Sequence, residues 1–191
     1  IFLAPLNNKV KKKWDKYYST NKKIPTLPSE VLLFNHHLLP KKGNALDLAC
    51  GYGSNAIFLA KNNLNVEAWD ISEGALEKLS IQTKKLKLHV QCRVRDILKD
   101  PPKSNTFDVI VVTNFLDRKL IKHIRDAIKP NGLIFYQTFI KNKINKSGPK
   151  NSNYLLKKNE LLKFFNNWNI IFYKEEQGIG NLQFGCRNHA M

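Results

Sequence analysis

The stretch ALDLACGYGSNAIFLA, residues 45–60, constrains the fold more than any other part of this chain. It begins as a greasy strand interrupted by one acid, passes through a glycine turn and continues as the first turns of a helix. A strand running through glycines into a helix is the opening unit of a nucleotide-binding α/β sheet. Glycine lets the backbone bend sharply there and lets a ligand approach closely. Gly51, Gly53 and Ala56 also satisfy the G-x-G-x-x-G/A spacing of a dinucleotide site, so other residues must decide which ligand is meant.

The rest of the chain repeats the alternation. Residues 29–39 read as a helix opened by Pro28 and Ser29. Residues 45–49, 65–70, 88–94, 107–113 and 133–139 read as five strands. Helices are expected at 54–63, at 72–85 with Ser72 as N-cap, from Asp117 to about residue 128, and around 159–165. KPNG, residues 129–132, stops the helix before strand five. Residues 169–174 read as a sixth strand and the last residues as the start of a seventh. Alternating elements of this kind imply right-handed crossovers and a parallel sheet covered on both faces, and an uninterrupted VIVV suits a strand buried on both sides. The expected fold class is α/β, a doubly wound sheet in one domain over residues 1–191. About residues 1–27 form a basic, aromatic segment and 28–191 the core. The only linker-like stretch is 141–153.

Composition narrows the setting. The hydrophobic fraction of 42% is ordinary for a globular chain. No apolar run is long enough to cross a bilayer, IFLAPL is too short for a secretory segment, and an initial Ile1 is what a trimmed fragment would show. Cys50, Cys92 and Cys186 share no C-x-x-C spacing and suggest no metal set, so reduced thiols in the cytoplasm are expected. The net charge of +17 has two readings. It suits a nucleic-acid binder, but the lysines fall in short scattered clusters with no aromatic RNA-binding pattern, and compositional drift is the favoured reading.

The ligand question turns on Asp47. A pyrophosphate beside a buried carboxylate is repelled, whereas the ammonium of a methionine moiety is attracted. S-adenosylmethionine carries that ammonium and a sulfonium, and no phosphate, so Asp47 shifts the expectation from a dinucleotide to this cofactor. Asp70, at the end of the second strand, is placed to accept ribose hydroxyls with either ligand. Asp96, after the third strand, is either an acceptor for an adenine amino group or a solvated loop acid.

D-L-A-C-G-Y-G (residues 47–53), W-D-I-S (69–72), R-D-I (95–97), F-D-V-I-V-V (107–112) and K-P-N-G-L-I (129–134) together resemble the successive motifs of class I S-adenosylmethionine-dependent methyltransferases. N-A-x-x-L-A after the glycines (55–60) and W-D-x-x-Y (14–18) are similar to the bacterial TehB-like branch. The resemblance implies a Rossmann-like sheet of order 3-2-1-4-5-7-6 with an antiparallel last strand. It also implies a cofactor site drawn from Asp47, Ala49, Gly51, Gly53 and Asn55, joined by Asp70, Ile71, Asp96, Ile97 and Asn114. Trp14 and Tyr18 would belong to a lid over it, although they equally suit a helix packed on the sheet. Ala49 departs from the usual Gly of the family, and the chain stops where a seventh strand should still be running, which fits truncation.

Acceptor chemistry is less legible. Methyl transfer needs orientation and dryness rather than a metal or a nucleophilic triad. The stretch after strand four, TNFLDR, lacks the paired prolines of base-amino methyltransferases, and Asn114 is either a turn residue or a contact. Tyr136, Gln137 and Arg118 are the acceptor-site candidates. The expected acceptor is a small molecule, anionic or a soft nucleophile. An RNA or protein acceptor, and a non-catalytic cofactor-binding module, remain as alternatives.

Overall fold

The computed structural model describes residues 6–20 and 25–191, and there the alternation becomes a six-stranded sheet. Ile1, Phe2, Leu3, Ala4 and Pro5 of the IFLAPL stretch and the Lys22–Lys23 pair lie outside the described residues. The chain runs α1 (Asn8–Thr20), α2 (Glu30–Phe34), β1 (Asn44–Leu48), α3 (Ser54–Lys61), β2 (Asn65–Asp70), α4 (Glu73–Lys85), β3 (Val90–Val94) and β4 (Phe107–Thr113). Then follow α5 (Ile121–Ala127), β5 (Ile128–Phe139), α6 (Glu160–Phe164) and β6 (His189–Ala190). Strand order is β3-β2-β1-β4-β5-β6, parallel throughout except for β6, which pairs antiparallel with β5.

Period-two alternation distributes the apolar residues between two cores. From β4, Ile110 and Val112 join one face with Leu46, Leu48 and Trp69, while Val109 and Val111 join the other with Ala45, Val66 and Ala68. Val109, Ile110, Val111 and Val112 are all fully buried, as expected of a central strand covered on both faces. Phe107 breaks the parity and packs with Ile110 and Val112. The cause is a register shift between Phe107 and Val109 against β5, which turns Asp108 outward to accept from the Asn44 amide (2.7 Å) and Lys129 Nζ (2.9 Å).

Three expectations are corrected. Helix 29–39 shortens to α2 because the chain tightens into a 3₁₀ turn (His36–Leu38) after Asn35, whose Nδ2 donates back to the Val31 carbonyl. KPNG does not precede strand five but lies inside it, as the irregular stretch where Asn131 takes a positive φ of 63°. Residues 169–174 do not form a sixth strand. Among the described residues Lys174 alone of them gains a sheet-like rung, exchanging both backbone bonds with Met191 (2.9 and 3.0 Å). The expected order 3-2-1-4-5-7-6 is therefore seen as 3-2-1-4-5-6, with His189–Ala190 in the antiparallel place beside β5.

The turn after β1 carries the backbone cost of the site. Ala49, Gly51 and Gly53 have φ of 55°, 53° and 71°. A β-carbon on Gly51 would stand 2.5 Å from the Tyr18 hydroxyl oxygen, and one on Gly53 2.4 Å from Cδ2 of the buried Leu79. Ala49 is left-handed with a methyl group attached, at a cost on the order of 1 kcal/mol relative to glycine. Ala49→Gly should therefore raise stability by about 1 kcal/mol, whereas Gly53→Ala should lower it by about 1–3 kcal/mol. Urea denaturation of the two variants against the parent chain measures both.

Candidate cofactor and acceptor site

The carboxyl ends of β1 and β2 supply two buried acids. Asp47 is fully buried, and its Oδ2 accepts from the Ala56 amide at 2.9 Å, which ties the strand to the first turn of α3. Its Oδ1 is buried with no hydrogen-bond partner. Burial pushes the Asp47 carboxyl up to about 7, against the pull of the Ala56 amide and the Asn55 side chain. Asp70 is better provided for. It accepts from the Gly51 and Ser72 amides, both at 2.8 Å, although burial still raises its pKa.

Helix α1 crosses this end of the sheet. Tyr18 lies over Gly51, and burial followed by the Asp70 charge pushes its hydroxyl pKa up. The Tyr18 carbonyl accepts from Lys78 Nζ (2.5 Å) and from the Tyr52 hydroxyl (3.1 Å). Asp15 accepts from the Ser72 hydroxyl at 2.7 Å and pairs with Lys11 at 2.8 Å. At the start of the helix the Asn7 amide donates to Asp96 Oδ2 at 3.1 Å. The aromatic rings form a chain, Trp14 to Tyr18 at 6.0 Å and Tyr18 to Tyr52 at 4.9 Å. Lys13 Nζ stands 5.2 Å from the Trp14 ring and 5.9 Å from the ring of Tyr154, beyond β5. No residue of α1 is buried, so polar tethers and aromatic edges hold it.

The expected residues do not all converge. Asp47, Gly51, Gly53, Asp70, Asp96 and Tyr18 meet at one end of the sheet, with Ile71 following Asp70. Asp96 is buried, its other oxygen accepting from the Leu98 amide at 3.2 Å, so the solvated-loop alternative falls away. Asn55 accepts from the Ser29 amide (2.8 Å) and donates to Thr113 Oγ1 (3.0 Å), linking the glycine turn to β4. Ile97 packs in the core beside Trp69 and Leu116. Asn114 is exposed with φ of 55°, a conformation asparagine tolerates.

The three acceptor candidates have structural work. Tyr136 is buried in the core and donates to the Phe115 carbonyl at 3.0 Å. Gln137 faces the opposite side, accepting from the Val31 amide at 2.9 Å. Arg118 forks onto Glu160 at 2.8 and 2.9 Å and donates to the Asn153 and Leu155 carbonyls, clamping the loop after β4 to α6. Residues missed by the sequence reading stand nearby: Ser29, Glu30, Tyr52, Lys78, Cys186 and His189. Of these, Tyr52, between the two glycines, carried a local signal.

Comparison with known proteins accords with this arrangement. A protein of Haemophilus influenzae described as a probable S-adenosyl-L-methionine-dependent methyltransferase TehB is 24% identical over 172 residues, 87% of this chain and 59% of its own length. A ubiquinone biosynthesis O-methyltransferase of Coxiella burnetii is 28% identical over 123 residues, 60% of this chain and 51% of its own. The crystal structure of TehB from Haemophilus influenzae superposes with a TM-score of 0.70 at 22% identity, covering 93% of this chain and 65% of that one, which shows the shared fold. The chain thus spans between half and two thirds of the length of these proteins. The family model described as tellurite resistance protein TehB matches residues 10–185, and the chain belongs to that family.

Proposed function

We propose that this chain binds S-adenosylmethionine across the carboxyl ends of β1, β2 and β3 and uses it to methylate a small molecule. The observation that carries the reading is Asp47 Oδ1, a buried carboxylate oxygen without a partner. Such an atom is costly to bury unless a donor, best a cationic one, completes it. The residues fit the group. Asp47 would take the ammonium, Asp70 the ribose hydroxyls and Asp96 the adenine amino group, with Gly51 and Gly53 permitting close approach. When bound, the cofactor supplies an electrophilic methyl group on a positive sulfur.

The protein's own part is orientation and exclusion of water. Tyr18 on α1 covers the glycine turn, with the Trp14 ring beside it, and Asn7 engages Asp96, so α1 must lift for a ligand to enter and can close again on its polar tethers. The whole chain acts as one methyltransferase domain with α1 as its lid. Its three cysteines are free thiols, in keeping with a cytoplasmic setting, and no helix among the described residues is long and apolar enough to cross a membrane.

Two outcomes test this reading. Asp47→Asn keeps an acceptor for the Ala56 amide and removes the charge. At pH 5, where the parent's Asp47 holds its proton, it should leave the melting temperature near the parent's, and at pH 8 it should weaken S-adenosylmethionine binding by about 2–5 kcal/mol in calorimetry. Affinity for the cofactor should also rise with pH through about 7, because the ammonium needs the ionised carboxylate. Without cofactor the sign is opposite. The folded chain holds on Asp47 a proton that the unfolded chain releases near 3.8, so stability should fall as pH climbs from 4 toward 7. Melting curves with and without cofactor read both slopes.

A further inference from the structure

One cation at the ligand end of the sheet is held in position and yet has no anion. Lys13 is exposed, and its Nζ stands 5.2 Å from the centre of the Trp14 ring on α1 and 5.9 Å from that of Tyr154. Among the described residues it has no carboxylate or carbonyl partner. Ring faces therefore place the ammonium while its N–H donors stay available. The other cations fixed at this end are engaged. Lys11 pairs with Asp15 (2.8 Å) and Glu73 (3.4 Å), and Lys78 donates to the Tyr18 carbonyl. Arg118 forks onto Glu160, and Lys143 donates to the Ser147 and Pro149 carbonyls.

The two rings belong to different parts of the molecule. Tyr154 ends a 3₁₀ turn (Ser152–Tyr154) after β5, and Arg118 donates to the carbonyls on either side of it, Asn153 at 2.6 Å and Leu155 at 3.1 Å. Leu155 and Leu156 behind it are buried, and Leu156 donates to the Phe139 carbonyl and accepts from the Lys141 amide, each at 2.9 Å. Tyr154 is thus fastened to the sheet, with its half-exposed ring turned to α1. Trp14 belongs to the helix that lies over Gly51 after β1 and reaches Asp96 after β3. In a sheet of order β3-β2-β1-β4-β5, a link from that helix to Tyr154 crosses the ends of β1, β4 and β5. A doubly wound sheet takes its ligands outside those ends, so Lys13 stands over the room left for a methyl acceptor beside the cofactor.

We propose that Lys13 seats a small anionic methyl acceptor, its ammonium held over the crevice between the rings of Trp14 and Tyr154. This rests on the methyl-transfer reading above. An ammonium with unused donors forms charge-assisted hydrogen bonds to an anion, and those are the strong ones. An acceptor that arrives as an anion also needs no base, which suits a crevice where Tyr136, Gln137 and Arg118 are all engaged in structural bonds. Its lone pair forms the bond to the methyl carbon, and the carbon–sulfur pair stays on sulfur as a neutral thioether. The product carries one negative charge fewer than the acceptor, so its hold on Lys13 weakens and release follows. Lys13 is the binding residue. Trp14 and Tyr154 act through it and are positioning residues.

The test incubates the intact chain with S-adenosylmethionine and either an anion (selenite, benzoate or 2-mercaptobenzoate) or the neutral 2-mercaptobenzamide. S-adenosylhomocysteine release is followed by mass spectrometry, and cofactor Kd by calorimetry. The parent chain should turn over at least one anion with a higher kcat/KM than the neutral amide. For the anion that reacts best, Lys13→Gln should raise KM about 10-fold and leave kcat and the cofactor Kd near the parent's. Lys13→Arg keeps the charge and stacks on both rings, so it should recover most of the loss. Tyr154→Phe should match the parent, whereas Tyr154→Ala should raise KM. Lys12→Gln removes an exposed charge from the same helix and should change KM less than about 2-fold. The proposal is overturned if Lys13→Gln keeps the parent's KM, if Lys12→Gln raises it as much, or if the neutral amide is the best acceptor. It is overturned as well if the cofactor binds and no anion reacts. Failure of the parent chain to bind the cofactor would instead overturn the methyl-transfer reading.

Discussion

The bond from the Ala56 amide to the Asp47 carboxylate ties the end of β1 to the first turn of α3. It spans a turn in which Ala49, Gly51 and Gly53 all have positive φ. Asp47 reaches this position because β1 alternates, sending Leu46 and Leu48 to one core and Asp47 to the side where α3 packs. The same bond satisfies only one of two oxygens. A carboxylate with no exposure and half its acceptors unused holds a proton far above the normal acidic range, and any donor supplied to the second oxygen lowers the cost of its charge.

Asp70 shows the contrast that one strand of separation makes. It is nearly as deep, yet each of its oxygens receives a backbone amide, from Gly51 and from Ser72. It therefore fixes the turn from the second side. Helix α1 is joined to this end of the sheet by a different kind of bond. Its links to the body, at Asp96, Ser72, Lys78 and Tyr52, are polar or edge-on aromatic and partly exposed, and it buries none of its own residues. Elements held this way open at a fraction of the free energy needed to unfold the sheet. These polar tethers and aromatic edges are the physical basis of the proposal that α1 serves as a lid.

Legibility followed the range of the interactions. Asn65–Asp70 and Phe107–Thr113 were readable to the residue because burial imposes a two-residue period and each strand is bounded by local turn chemistry. Ser72 was readable as a cap, and its hydroxyl does accept from the Ala75 amide at 3.3 Å. Residues 169–174 misled because their apolar content suits a strand, yet a strand exists only where a neighbour offers a ladder, and that neighbour is supplied by residues far along the chain. Arg118 misled for a related reason. Its composition suits an anion site, but Glu160 and two carbonyls 35 and 37 positions away take its donors.

Order of elements and the parallel sheet follow from local pattern: an apolar strand, glycines and a helix start, each fixed by sterics within a few residues. The polar atoms left without partners followed no such pattern. Ser29 looks like an ordinary cap and Glu30 like a first-turn acid. Their convergence depends on α2 being stapled between Asn55 and Gln137, contacts 26 and 106 positions apart in the chain. A side chain's need for a partner is a property of what surrounds it, and those surroundings come into being only when distant segments meet.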